Sequence, residues 1–334
     1  MPGKKQLLAD VLYRTGLAGV TSKAVGDRLL VFGQHRIKPD DPGFESPFAD
    51  DVFGPTVSEF EAQVAWLSEN TTMLSQDDLL RCLRTQKFPS GLSTLMTFDD
   101  GYRDNYDLAY PVLKKYGMPA VFFVPSRIIE ERYVGWWDVI AFIAKKARGA
   151  KVEFDGETFD LSDRDAVIAR LHKRMQLEPA DRTKDLVDRM AEAFGVTPPT
   201  DAEKDAELMT WDQLRTLSDD GLVTIASHTH SHRVLATLPA ETQREELTTS
   251  KAFLEERLGR RVASLAYPVG GYQHFTAETS RIAQEVGYEI AYSFCTGYNT
   301  WDTLSSYDIK RIGAPVSQSL FVATAVLPEV FDWE

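Results

Sequence analysis

The sequence predicts an α/β fold built on a parallel sheet or a barrel. Short apolar strands alternate with helices along most of the chain, the pattern of repeated βα units. The strands are apolar runs such as "LSTLMTF" (92–98) and "AVFFV" (120–124), suited to burial in a sheet. Two of the runs end abruptly in polar clusters, "DDGYRDN" and "SHTHSH", so the chemistry is expected at strand exits.

The elements follow in order. Residues 1–27 are expected to be an N-terminal helical segment, and residues 28–334 the main body. Asp10 and Arg14 interrupt the apolar residues near the start and no small-residue cleavage site follows. The stretch therefore reads as an amphipathic helix and not an export signal. "RLLVFGQHRI" (28–37) reads as a buried strand, and 38–55, rich in Pro, Gly and Asp, as a loop. Residues 59–70 carry helical spacing, with Phe60, Val64 and Leu67 on one face. After "LSTLMTF", a helix is expected over 105–116, stopped by Gly117 and Pro119. Pro125 closes "AVFFV". The rhythm breaks over about 127–207, where Trp136 and Trp137, a hairpin around "KVEFDGETFDL" and charged helices read as an insertion. Alternation then resumes with helix "TWDQLRTLSDDG", strand "LVTIAS", a helix over 241–258 and strand "VASLAYP". A helix over 276–286 and strands "YEIAYSF" and "DIKRIGA" complete the chain.

Composition narrows the function. With 334 residues, 43% of them hydrophobic, the chain can bury a sizeable core, as one large α/β domain or two smaller ones. A net charge of −13 argues against the phosphate attraction that nucleic-acid binders depend on, so no nucleic-acid partner is expected. Cys82 and Cys295 sit in unrelated contexts and read as small buried residues. No apolar run approaches the ~20 residues of a membrane span, so no transmembrane segment and a cytoplasmic location are expected.

"TFDD" places Asp99 and Asp100 at the exit of a core strand, where two carboxylates repel and folding alone gives little reason for them. Side chains alternate along a strand, so one could bind a cation while the other faces a substrate. Capping of the following helix is the competing explanation. "IASHTHSH" (225–232) also follows a strand. His228 and His232 are four apart, a spacing that puts two imidazoles on one side of a helical turn, and His230 would then point away. Two imidazoles and a carboxylate with open positions form the ligand set of a catalytic zinc or similar ion.

These stretches resemble the polysaccharide deacetylases with a NodB homology domain. "TFDDGY" (97–102) is similar to that family's first motif, "SHTHSH" to its second and "LAYPVGGY" (265–272) to its third. The resemblance implies a distorted (β/α) barrel with fewer than eight strands and its active face at the strand C-termini. It also implies Asp99 as general base, Asp100, His228 and His232 as ligands of one divalent metal ion, zinc by expectation, and His230 as a non-ligand. The Val269 backbone N–H would help hold the oxyanion. Tyr267 would line the substrate groove, unless it is simply a core aromatic.

The chain departs from the family twice. Ala266 stands where an arginine commonly steadies the catalytic aspartate, and Arg311 in "IKRIGAP" is the candidate replacement, with a surface ion pair as the alternative. No histidine follows His274, so the late histidine that supplies the general acid in many members is missing. His35 resembles the histidine of the early "YHRV"-type strand found in poly-N-acetylglucosamine deacetylases, whose motif order is circularly permuted. His35 is then the expected acid and His274 the fallback. The implied reaction is hydrolysis of an N-acetyl or other acyl group from a sugar, a glycan, or a lipid- or nucleotide-linked glycan precursor. Two rivals remain: an amidase or deformylase acting on a small amide or cyclic ureide, and a carbohydrate-binding pseudoenzyme without catalysis.

Overall fold

A computed structural model describes residues 4–24, 26–177 and 182–331. Parts of the expected N-terminal segment (1–3 and 25), of the insertion (178–181) and of the C-terminus (332–334) lie outside the described residues. Seven parallel strands make one curled sheet. In chain order they are β1 Arg28–Gln34, β2 Leu92–Phe98, β3 Ala120–Val124, β4 Val223–Ser227, β5 Ser264–Ala266, β6 Ile290–Tyr292 and β7 Ile312–Gly313. Their order across the sheet is β6-β5-β4-β3-β2-β1-β7. Each strand through β6 lies beside its predecessor, and β7 returns to the free side of β1. A parallel bridge between Tyr292 and Ile309 links the two edges. The architecture is a distorted (β/α) barrel, and a two-residue strand, Thr72–Met73, attaches to β2 outside the main path.

Alternation along the strands explains why they read as continuous apolar runs. Leu30 and Phe32 of β1, Met96 and Phe98 of β2, and Phe122 and Val124 of β3 join the core beneath the helices. Leu29, Val31, Leu95, Val121 and Phe123 point the other way, into a second cluster with Ala266 and Tyr292. Both faces are buried, so within the strands the polar residues are almost all small ones such as Ser93, Thr94, Thr97 and Ser264, and the charged ones gather at the strand ends.

Register aligns those ends. Gln34 sits opposite Phe98, and Val124 opposite Ser227. The residues that follow, His35, Asp99 and His228, therefore leave the sheet on one rim.

Several elements differ from expectation. The N-terminal segment is two helices, Lys4–Arg14 and Leu17–Ala24, separated at Gly16 in the left-handed region (φ 69°). The first strand stops at Gln34; Arg36–Lys38 leaves the barrel and pairs with Phe53–Thr56 inside the expected loop. Helix Gln76–Thr85 was not expected, although Ser75 and Asp78 cap it reciprocally. Within the insertion, Lys151–Phe154 and Glu157–Asp160 pair antiparallel around Asp155-Gly156, both at positive φ as a tight hairpin requires. Phe154 and Phe159 join the same apolar cluster as the barrel helices. Among the described residues, no helix is long and apolar enough to cross a membrane.

Candidate active site

Asp99 leaves β2 on the side of Thr97, and its N–H donates to the Gln34 carbonyl at 2.9 Å. Asp100 then adopts φ 72°, a left-handed conformation that bulky residues avoid. That turn overrides the alternation expected from the sequence: both carboxylates face one place. Asp99 Oδ2 lies 3.7 Å and Asp100 Oδ1 3.6 Å from His228 Nε2. Neither caps the following helix.

The histidines also meet by a route the spacing did not predict. Residues 228–234 are irregular and not a helical turn. Thr229 (φ 64°) and His232 (φ 56°) are both left-handed, and the two imidazoles end 4.7 Å apart between centroids. Side chains of the next helix, Ala240–Leu258, hold the loop in this shape. Glu246 accepts from the N–H groups of His230 and Ser231, and Ser250 donates to the Thr229 carbonyl at 2.9 Å. His230 does point away, with Nδ1 2.8 Å from Ser126 Oγ.

His228 Nδ1 is 2.9 Å from the Ala266 carbonyl. A carbonyl can only accept, so Nδ1 carries the proton and Nε2 presents its lone pair to the carboxylates. Burial drives the His228 pKa down to about 4 in spite of both aspartates, which keeps the ring neutral at pH 7. Burial pushes Asp100 up, but the imidazoles of His232, His35 and His228 outweigh it and hold the carboxyl well below its ordinary value.

The donor set fits a divalent ion. Ligand atoms of Asp100, His228 and His232 lie within 4.8 Å of one another. Asp100 Oδ1 and His232 Nδ1 are buried without a hydrogen-bond partner among the described residues, a cost that a bound cation would remove for the carboxylate.

Arg311 is fully buried. Its guanidinium donates to Asp99 Oδ1 at 2.7 Å and to the Ser293 carbonyl at 3.0 Å, and lies over the Phe294 ring. It is not a surface ion pair. Burial raises the Asp99 pKa, yet Arg311, His228 and His35 bring it below the ordinary carboxylate value. His35 enters from the exit of β1. Asn105 donates to its carbonyl at 2.8 Å, while Asp104 accepts from Arg36 and from the Ile37 N–H. The "DDGYRDN" stretch thus supplies two carboxylates to the pocket and a clamp for the segment carrying His35.

A pocket of about 240 Å³ contains His35, both aspartates, His228, His232 and Val269. Val269 is left-handed (φ 61°). The adjoining Gly270 meets the chain so closely that a Cβ there would lie 2.7 Å from the Phe294 backbone. Tyr267 requires a correction: it is fully buried, donates to the Tyr307 carbonyl at 3.0 Å and stacks on Phe275 at 4.3 Å. It is a core aromatic and does not line this pocket. His274 is turned to its own loop, accepting from the Gly271 N–H at 3.1 Å.

Sequence reasoning missed Asp51 and His172, which with Trp136 and Trp137 of the insertion make the opposite wall. Trp137 packs on His232 with centroids 4.4 Å apart and donates to Tyr102 Oη at 2.7 Å; Tyr102 donates in turn to buried Asp138 at 2.7 Å. A Cβ on Gly135 would fall 2.3 Å from the Trp137 ring, so this close fold-back needs glycine. A larger cavity of about 740 Å³ adjoins the pocket, sharing Trp136, Trp137 and His232.

The fold and site define a (β/α)-barrel protein with an Asp/His/His cluster at its strand exits. The chain belongs to the polysaccharide deacetylase family, whose model matches residues 89–291. It is 26% identical over 233 residues to YxkH of Bacillus subtilis (strain 168), described as a polysaccharide deacetylase, covering 70% of this chain and 56% of that one. It is 33% identical over 107 residues to the poly-β-1,6-N-acetyl-D-glucosamine N-deacetylase of Staphylococcus aureus (strain MSSA476), covering 31% and 37%. The matches thus span little more than half, or less, of these relatives' lengths. The fold is shared with the Streptococcus pyogenes deacetylase PplD (TM-score 0.59, 17% identity, 90% of this chain and 99% of that one). It is also shared with IcaB from Ammonifex degensii (TM-score 0.57, 19% identity, 90% and 97%).

Proposed function

We propose that this chain is a zinc-dependent hydrolase that removes N-acetyl groups from an N-acetylated sugar, glycan or glycan precursor. The observation that carries the reading is the meeting of Asp100, His228 and His232, with ligand atoms within 4.8 Å, beside an aspartate held ionised by a buried arginine. Asp100, His228 and His232 would hold a divalent ion, which when bound would supply Lewis acidity towards an acyl carbonyl and a nucleophilic water.

The chain's own residues do the rest. Asp99, kept ionised and aimed by Arg311, accepts the proton of the attacking water. The Val269 N–H donates to the oxygen that becomes negative as the acyl carbon turns tetrahedral, a type of contact worth ~3 kcal/mol. His35 stands on the same rim and hands a proton to the departing amine, which would otherwise leave as an unstable anion. The poly-β-1,6-N-acetyl-D-glucosamine activity of the staphylococcal relatives makes N-acetylglucosamine the first sugar to try.

The test measures acetate released from β-1,6-linked N-acetylglucosamine oligomers and from lipid- or nucleotide-linked N-acetyl sugars. Chelator-treated protein should be inactive and recover on adding zinc. Zinc-loaded protein that releases no acetate from any of them would overturn the reading. Faster cleavage of monomeric amides than of any sugar would replace it with the small-amide reaction.

A further inference from the structure

The pocket wall opposite the strand exits is built as carefully as the exits themselves, and none of its residues belongs to the motifs. Asp51 carries a side chain 63% exposed to the pocket mouth, yet its loop is pinned. The Ala49 N–H donates to Asp138 at 3.1 Å, and Lys145 donates to the Ser46 carbonyl at 2.9 Å and pairs with Asp50 at 2.8 Å. Asp138 and Lys145 both belong to the insertion helix Trp136–Lys146.

His172, on the next helix, aims Asp51. Its Nε2–H donates to the Trp137 carbonyl at 2.9 Å, which fixes the ring, and its Nδ1 faces Asp51 Oδ2 at 3.4 Å, so Nδ1 donates to that carboxylate when the ring is protonated. Hydrogen bonding to the protonated His172 ring, against a smaller effect of burial, keeps the Asp51 carboxyl below its ordinary value. Trp136 stands edge-on to both His172 (5.7 Å) and Trp137 (5.5 Å), forming an aromatic corner that is only partly covered.

An ionised carboxylate accepts two hydroxyl protons at once, and an indole presents an apolar surface to the C–H face of a sugar ring. We infer that Asp51, held by His172 beside Trp136, is a specificity subsite that binds hydroxyl groups of the neutral pyranose ring whose acyl group is being removed. The inference rests on the deacylation reading and deepens it: the strand exits attack the acyl group, and the insertion wall chooses the ring. Asp51 is a positioning residue that takes no part in proton transfer.

The test uses the full chain, loaded with zinc, and three probes. They are a β-1,6-linked N-acetylglucosamine trisaccharide, its monodeoxy analogues, and 4-nitrophenyl acetate, which has an acyl group but no sugar. Asp51→Asn should raise KM for the trisaccharide about tenfold to a hundredfold, the weight of a hydrogen bond to a charged group, with kcat changed far less. His172→Gln should do the same more weakly. KM for 4-nitrophenyl acetate should move less than twofold. At least one monodeoxy analogue should be about tenfold worse than the trisaccharide for the wild type and no worse for Asp51→Asn, because the lost contact is the same one.

Trisaccharide KM unchanged in both variants would overturn the subsite. So would equal losses on the trisaccharide and the aryl acetate that track a lowered Tm, since a structural role predicts that. If the wild type cleaves neither probe, the deacylation reading fails by itself. Calorimetric binding of the trisaccharide then decides the subsite: at least tenfold weaker binding by Asp51→Asn supports it, and equal binding refutes it.

Discussion

The two walls of the pocket are made by different means. The strand-exit wall is aimed by backbone, and side chains such as Glu246, Ser250 and Asn105 only clamp the turns that do so. Parallel register brings His35, Asp99 and His228 to one rim, and left-handed turns at Asp100, Thr229 and His232 aim the side chains. The insertion wall is held by side chains: Lys145 and Asp138 tie down one loop, and His172 and Trp137 lock together across two helices. Strain fixed in the backbone suits residues that must hold reacting atoms within tenths of an ångström. A wall tied by side chains can vary at Asp51 and His172 without altering the strands, which suits a surface that selects substrate.

Substitutions should separate the walls. Asp99→Asn, on the exit wall, should lower kcat by about 10²–10⁴ while leaving the metal content intact, as loss of a general base does. Steady-state kinetics beside metal analysis checks this, and loss of the ion together with activity would merge two roles now kept apart. Arg311→Ala should be the costliest change for stability, about 3–5 kcal/mol by denaturant unfolding, because it leaves Asp99 buried without its counter-ion. A loss under 1 kcal/mol would mean that Asp99 does not depend on Arg311. His35→Gln should slow amide hydrolysis about 10²-fold but spare 4-nitrophenyl acetate, whose leaving group needs no proton. Equal losses on both substrates would remove His35 from the acid role.

Acid should loosen the exit wall of the ion-free protein. Folded His228 titrates at about 4, below the ordinary 6.5, so the unfolded chain binds its proton first as pH falls. The stability from this group is full above pH 6.5 and should decline by up to about 3 kcal/mol towards pH 4. Asp99 and Asp100, also held below their ordinary values, carry the decline further into acid. Unfolding curves at pH 7, 5.5 and 4.5 measure it, and a flat profile would show that the histidine is not held neutral by burial.

The smallest effect belongs to the joint between the walls. Trp137→Phe removes the bond to Tyr102 and part of the packing on His232, and should weaken zinc binding about tenfold. Unchanged affinity would make the insertion wall independent of the metal ligands.

How far the sequence could be read follows from the same contrast. The barrel and the cluster at its rim were legible because Asp99–Asp100 and His228–His232 each sit directly after an apolar run, so local pattern and position coincide there. Even there the mechanism of approach was misjudged: the i, i+4 histidines meet through an irregular loop clamped by Glu246, not a helical turn. Tyr267 was carried to the groove by resemblance alone, and the alternative of a core aromatic is what its packing on Phe275 gives. Asp51 and His172 left no signal at all. They are far apart in sequence, on a loop and a helix of unremarkable composition, and only the docking of the insertion makes them neighbours. The helix Gln76–Thr85 passed unnoticed although its capping box was there to find.

The most direct measurement is metal content per chain for the wild type and for Asp100→Ala, His232→Ala and His230→Ala, each after incubation with zinc and removal of the excess. About one ion per chain in the wild type and in His230→Ala, with little in the other two, is the expected result. A wild type that holds no zinc, or a His230→Ala that loses it, would contradict the site described above.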